Sequence, residues 1–279
     1  MDTIFSRNEL YWGEGFQRYL AGLNVAVFGL GGVGGFALEA LARAGIGHFL
    51  IVDFDTVSKT NINRQLIALN SNVGLKKTDV FKKRLLDINP DVNVKIYDGF
   101  FTESTKDAVF SGDSAIKSTA QFDDECMVES IAAEGFVTGP DFIVDAIDTV
   151  KSKIELIKFA KENDIKIISS FGAGNRMDAS KLYVADVSEI RQKNGKDSFT
   201  KNVLYKLEKY AGITSGLMAV SSTEKPHSER KIRNIETVTL NNGDTLEFAS
   251  TPVVPAVSGY LMANYIIKIF YENFLNFKK

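Results

Sequence analysis

The chain has 279 residues, of which 44% are hydrophobic, 11% aromatic and 24% charged; these are the proportions of a globular protein and exclude wholesale disorder. With 33 Lys+Arg against 35 Asp+Glu, the formal net charge of −2 excludes a strongly basic nucleic-acid binder, though not a local basic patch. The single cysteine, Cys126, excludes an intramolecular disulfide framework and any metal knuckle built from several thiolates of one chain.

Strand-like and helix-like segments alternate through the first half. Residues 24–29 form a short apolar run that ends in glycines, as a buried strand does. Residues 33–44 follow with small and apolar side chains at helical spacing. Apolar strands are expected at 48–52, 92–97, 142–146 and 165–169, with amphipathic helices at 76–86 and 149–162 between them. Such alternation implies right-handed strand–helix–strand units and a largely parallel sheet with helices on both faces. Residues 111–139 are polar, acidic in places, and read as an insertion or surface loop. After Gly172 the pattern changes to an α+β extension: a strand at 181–186, a helix at 199–210, an exposed polar loop at 221–233 and a hairpin at 236–248 about Asn241-Asn242-Gly243-Asp244. A final helix at 257–274 is apolar on most faces, which suits packing or dimerisation. The division expected is a nucleotide-binding core at 1–175 and a substrate or dimerisation region at 176–279, built as one continuous unit. No secretory leader pattern opens the sequence and no run reaches about 18 apolar residues, so a cytoplasmic protein with no stable membrane insertion is expected.

Gly29-Leu30-Gly31-Gly32-Val33-Gly34 lies between the first strand and the first helix, where a Rossmann-like nucleotide fingerprint belongs. Gly29 permits a tight turn, Gly31 and Gly32 let the backbone approach a phosphate, and Gly34 lets helix pack on strand. The helix N-terminus offers free N–H groups to an anion. Asp53, at the end of the second strand, is placed to accept hydrogen bonds from ribose hydroxyls. To this point NAD and ATP fit equally.

The residues after Asp53 distinguish them. Asp53-Phe54-Asp55-Thr56-Val57, Asn61-Ile62-Asn63-Arg64-Gln65 and Val73-Gly74-Leu75-Lys76-Lys77 follow the glycine run in order. Over residues 20–175 the chain resembles the adenylating ThiF/MoeB/HesA family related to ubiquitin-activating enzymes, whose motifs are GxGGxG, D-x-D-x-V, N-x-x-R-Q and V-G-x-x-K. The resemblance implies attack of a carboxylate on the α-phosphate of ATP, giving an acyl-adenylate and pyrophosphate. Arg64 and Lys77 match the family's phosphate-binding cations, Asn61 and Gln65 residues beside ATP, and Asp53 and Asp55 the acidic segment at the ribose. Asp148, in Asp145-Ala146-Ile147-Asp148, matches the acid associated with Mg²⁺; Asp145 is left out of the site. Arg7 is the candidate for an arginine that reaches the γ-phosphate from a partner subunit of a homodimer.

One cysteine cannot supply the four-thiolate zinc site of many members, so no zinc is expected, and Cys126 in an acidic neighbourhood is a poor nucleophile. Phe171-Gly172-Ala173-Gly174-Asn175-Arg176-Met177-Asp178 and Val220-Ser221-Ser222-Thr223-Glu224-Lys225-Pro226 resemble the tRNA threonylcarbamoyladenosine dehydratase branch. That branch implies activation of the threonyl carboxylate of t6A in the tRNA anticodon stem-loop, ring closure to cyclic t6A and release of AMP. The segments after Asp186 and around Ser250 depart from the branch's usual pattern. A basic surface for tRNA is expected among Lys151, Lys153, Arg191, Lys193, Lys196, Lys201, Lys206, Lys209, Arg230, Lys231 and Arg233. The alternative reading is an activator of a ubiquitin-like sulfur-carrier protein, and a sulfur-transfer or carrier partner stays open. An NAD-dependent oxidoreductase would leave Arg64, Lys77 and Asp148 without a role, and a non-enzymatic binding module needs no turnover at all.

Overall fold

The computed structural model describes residues 3–110, 139–194, 198–226, 238–239, 245–246 and 249–277. Seven strands form one sheet. They are β1 (Asn24–Phe28), β2 (His48–Val52), β3 (Asn93–Tyr97), β4 (Phe142–Asp145), β5 (Lys166–Ser170), β6 (Leu182–Asp186) and β7 (Met218–Ser222), in the order β3-β2-β1-β4-β5-β7-β6. Every neighbouring pair is parallel except β6 with β7. The strand order reverses between β1 and β4, so the crevice beyond their carboxyl ends is the natural ligand site of such a sheet. The short pair β8 (Val238–Thr239) and β9 (Thr245–Leu246) is antiparallel; its turn residues, 241–244, lie outside the described residues.

Two-residue alternation along each strand supplies two cores. Val25 and Val27 of β1 point to one side, where they meet α2 (Glu14–Ala21), α3 (Gly34–Ala44), α4 (Lys77–Ile88) and α9 (Val253–Phe277). Ala26 and Phe28 point to the other, against α5 (Lys106–Phe110), α6 (Val150–Glu162), α7 (Val187–Asn194) and α8 (Ser198–Ala211). A first short helix, α1 (Ser6–Trp12), is tied to the far end of α3 by Asn8, whose Nδ2 donates to the carbonyl of Arg43 at 2.9 Å.

Three expectations need correction. Ser221 and Ser222 do not belong to an exposed loop: they are buried in β7, and Glu224 just beyond is buried too. The rest of that loop from residue 227, and most of the 111–139 segment with Cys126, lie outside the described residues. Lys153 is not a surface cation, since it is 0% exposed under the ends of β4 and β5. The last helix starts at Val253, four residues early, and by length and composition its stretch Val253–Asn276 would suffice to cross a membrane. Half of its most apolar 18-residue window is buried. It packs on α3, α2 and the strands β5, β6 and β7, as Met262, Ala263, Ile266 and Phe270 enter the core. Its apolarity is that of a core helix in the described fold.

Candidate active site

At the sheet's reversal point the chain turns sharply. Gly29 has φ +85°, and a Cβ there would lie 2.7 Å from the carbonyl oxygen of Ala146. A Cβ on Gly34 would lie 1.8 Å from the carbonyl oxygen of Gly29, so strand end and helix start approach more closely than any side chain permits. The turn opens α3 toward a cavity of about 790 Å³, within the size range of small-molecule sites.

Asp53 is buried and holds this turn from β2: its carboxylate accepts from the N–H of Leu30 at 2.6 Å and from that of Asp55 at 2.8 Å. Burial pushes its carboxyl above the ordinary range, against the opposing pull of Lys77 and the two N–H groups. Lys77 opens α4 and is nearly fully buried; its Nζ pairs with Asp55 Oδ2 at 2.7 Å. Any anion that entered the cavity toward this cation would compete with Asp55 for it. Arg64 is anchored through its guanidinium to the carbonyl of Thr60 at 2.9 Å and to Asn63 Oδ1 at 3.0 Å. Burial lowers its pKa and the charge of Asp148 across the cavity raises it. Asn61 caps its own turn, accepting from the N–H of Ser58 at 3.1 Å. Gln65 is buried, and its Oε1 has no partner.

The cavity is lined by Gly29, Gly31, Gly32, Asp53, Asp55, Asn61, Arg64, Gln65, Lys77 and Asp148, so one space collects ten of the sequence candidates. Two do not line it. Gly34 acts by packing behind the turn. Arg7 is exposed on α1, at the end of α3 opposite the glycine turn, roughly 16 Å away along that helix. It is not among the residues that line the cavity.

Asp148 is exposed beside Thr149, whose Oγ1 donates to it at 3.3 Å. Among the described residues no group of three or more His, Cys, Asp or Glu side chains gathers as a metal cage. An exposed carboxylate at this cavity, apart from the Asp55–Lys77 pair, fits Mg²⁺, which uses one or two carboxylates together with substrate phosphates and water.

Much of the cavity wall escapes sequence reasoning. Gly172–Arg176, Ser198, Phe199, Asn202, Ser250 and Pro255 close its second half. Asn175, at φ +57°, is clamped to Ala249: its N–H donates to the Ala249 carbonyl at 2.7 Å, and its Oδ1 accepts from the Ala249 N–H at 2.8 Å. Buried Glu224 accepts from the N–H groups of Met177 at 3.0 Å and Asp178 at 2.8 Å, while Arg176 Nε donates to the Glu224 carbonyl at 3.2 Å. Beneath the wall lies a buried cluster. Lys153 Nζ donates to Asp145 Oδ2 at 2.6 Å and to Ser169 Oγ at 3.1 Å, Ser169 Oγ donates to the same Asp145 oxygen at 2.5 Å, and Asp145 Oδ1 accepts from the N–H of Ile147 at 3.1 Å. The cluster pins the start of α6, and with it the Asp148 turn, to the sheet. The only sequence signal was the spacing of Asp145 and Lys153, and nothing local told it from a surface pair.

The sequence matches the ThiF family over residues 5–277. The chain belongs to the ThiF family. A similar ThiF-family relative is the tRNA threonylcarbamoyladenosine dehydratase of Bacillus subtilis, 36% identical over 275 residues, which cover 94% of this chain and 92% of that one. Two similar solved structures are of Escherichia coli tRNA N6-threonylcarbamoyladenosine dehydratase, TcdA. The complex with AMP has a TM-score of 0.77 at 27% identity, covering 97% of this chain and 94% of that one. The complex with ATP has a TM-score of 0.75 at 28% identity, covering 96% and 94%. The ThiF-family α/β architecture, a mostly parallel sheet between helices, is therefore shared along nearly the whole chain.

Proposed function

We propose that this chain is an ATP-dependent tRNA threonylcarbamoyladenosine dehydratase that adenylates the threonyl carboxylate of t6A and closes it to cyclic t6A. The observation that carries the reading is that one cavity holds the glycine turn, Asp53, Arg64, Lys77 and Asp148 together with a second wall from Gly172–Arg176 and α8. Nearly full-length similarity to the B. subtilis dehydratase supports the choice of substrate.

The triphosphate rests on the N–H groups that open α3, and Asp53 receives the ribose hydroxyls. A carboxylate oxygen of the substrate bonds to the α-phosphorus as the bridge to the β-phosphate breaks, and pyrophosphate leaves. Arg64 and Lys77, the latter released from Asp55, stand where negative charge grows on the phosphates; placed cations are the main catalytic device for such transfers. Mg²⁺, when bound, adds its charge at the phosphate oxygens, and Asp148 is the side chain that would hold it. The carbamoyl nitrogen of the same group then bonds to the activated carbonyl carbon, the C–O bond to AMP breaks, and the nitrogen loses its proton. Both reacting groups belong to one nucleoside, so no enzyme nucleophile is needed. The functional unit in this reading is a homodimer, with Arg7 of one protomer reaching the γ-phosphate in the other.

Nucleoside mass analysis tests the assignment. Purified protein with Mg-ATP is expected to convert t6A in tRNA to a species lighter by one water, with AMP and pyrophosphate in equal amounts. Unchanged t6A, combined with pyrophosphate exchange stimulated by a ubiquitin-like carrier protein, would move the assignment to a carrier activator.

A further inference from the structure

Helix α8 begins in the wall of the cavity and leaves it along the surface. Ser198 and Asn202 line the cavity. Thr200, Val203, Leu204 and Leu207 are buried, which fixes the opposite face outward. At 3.6 residues per turn, Ser198, Asn202, Tyr205 and Lys209 fall within about 60° of one another and form a stripe roughly 16 Å long. Tyr205 and Tyr210 are 56% and 59% exposed and add nothing to the core. The Lys209 ammonium sits over both rings, 5.5 Å from that of Tyr205 and 5.2 Å from that of Tyr210. Lys201 is exposed beside the stripe. Glu208, the helix's one carboxylate, is engaged by Arg191 of α7 at 3.0 Å, so the face is left with a positive balance.

We propose that this face of α8 docks the unpaired RNA strand flanking the nucleoside held in the cavity, with Tyr205 and Tyr210 as stacking faces and Lys201 and Lys209 against the phosphates. The inference rests on the tRNA reading above. A nucleoside inserted into the cavity leaves its chain neighbours at the mouth, where α8 emerges. Cations interleaved with exposed aromatic rings are what an unpaired strand recruits.

The test separates docking from turnover. Full-length protein is titrated into a labelled, unmodified anticodon stem-loop and binding is followed by anisotropy at several salt concentrations. Tyr205→Ser with Lys209→Ala is expected to weaken binding roughly 10-fold or more and to reduce the slope of log Kd against log salt by about 1. Tyr205→Phe keeps the stacking face and is expected to stay within about 2-fold of wild type. The thermal shift given by Mg-ATP should match wild type in both variants, which establishes that the fold and the nucleotide site are intact. The inference is overturned if wild-type protein binds no RNA, if the double variant binds it as wild type does, or if the double variant loses stimulation by a carrier protein while RNA binding is unchanged. Failure of the function reading looks different: t6A stays unreacted in the mass analysis although RNA affinity still tracks Tyr205 and Lys209.

Discussion

At the scale of single residues, Arg64 is the sharpest case. Its guanidinium is half-buried, held by the Thr60 carbonyl and Asn63, and faces Asp148 across the cavity. Arg64→Ala removes a placed charge and leaves neighbouring backbone intact. Pyrophosphate release is expected to slow by roughly 10²–10³ in kcat, the usual cost of removing one pre-placed stabilising group, while the melting temperature without ATP moves little. Wild-type turnover in the variant would refute the role. His48 offers a test in pH. It starts β2, its Nδ1 has no partner, and burial lowers its pKa although Asp141 pulls the other way. The unfolded chain then takes up the His48 proton more readily than the folded one, so this residue's contribution is present above about pH 6.5 and is lost as the pH falls below it. Melting temperature is expected to drop between pH 7.5 and 5.5 more steeply for wild type than for His48→Gln. Asp53 runs the opposite way: burial raises its pKa, so its protonation favours the fold as the pH falls. Equal slopes in wild type and variant would count against the His48 argument.

At the scale of elements, the telling unit is the β4–α6 connection. β4, β5 and α6 meet over the Lys153–Asp145–Ser169 cluster, and each of these three side chains is 0% exposed. Removing one partner of a buried pair strands the other charge, which typically costs about 3–5 kcal/mol. Lys153→Met should therefore lower the urea midpoint strongly, and adding Asp145→Asn should recover most of the loss. No loss in the single variant would mean that the pair is not charged in the fold. This element also marks a limit of sequence reading. The strand at 142–145 and the helix at 150–162 are legible from apolar periodicity, but Lys153 reads locally like Lys151, which is 82% exposed. Burial of a cation depends on the carboxylate and hydroxyl that the neighbouring strands bring to it. Ser221 and Ser222 mislead for the same reason. Polar side chains satisfied inside a sheet carry the composition of a loop.

At the scale of the whole molecule, Arg7 poses the open question. It lies on α1 at the end of α3 away from the glycine turn, so in this reading it acts only in a second copy. Inactive Arg7→Ala and inactive Arg64→Ala proteins, mixed and allowed to exchange subunits, should regain about a quarter of wild-type turnover, since half the dimers are mixed and each of these has one complete site. Light scattering would give the dimer mass. No recovery despite exchange would show that Arg7 does not act on the site of a second copy.

The sequence alone determined the half of the cavity that carries the glycine turn, because that turn, Asp53, Asn61, Arg64 and Lys77 are fixed by short connections around β1, β2 and α4. A strand, a tight turn and a helix start are local conformations, and local chemistry suffices to specify them. The other half was decided only by the tertiary structure. β7 enters the sheet beside β5, β6 folds back on its outer edge, and α9 crosses α3, which together bring Gly172–Arg176, α8 and Pro255 to the same space. Those residues are far apart in the chain, and burial of their polar groups is offset by partners that no local pattern reveals.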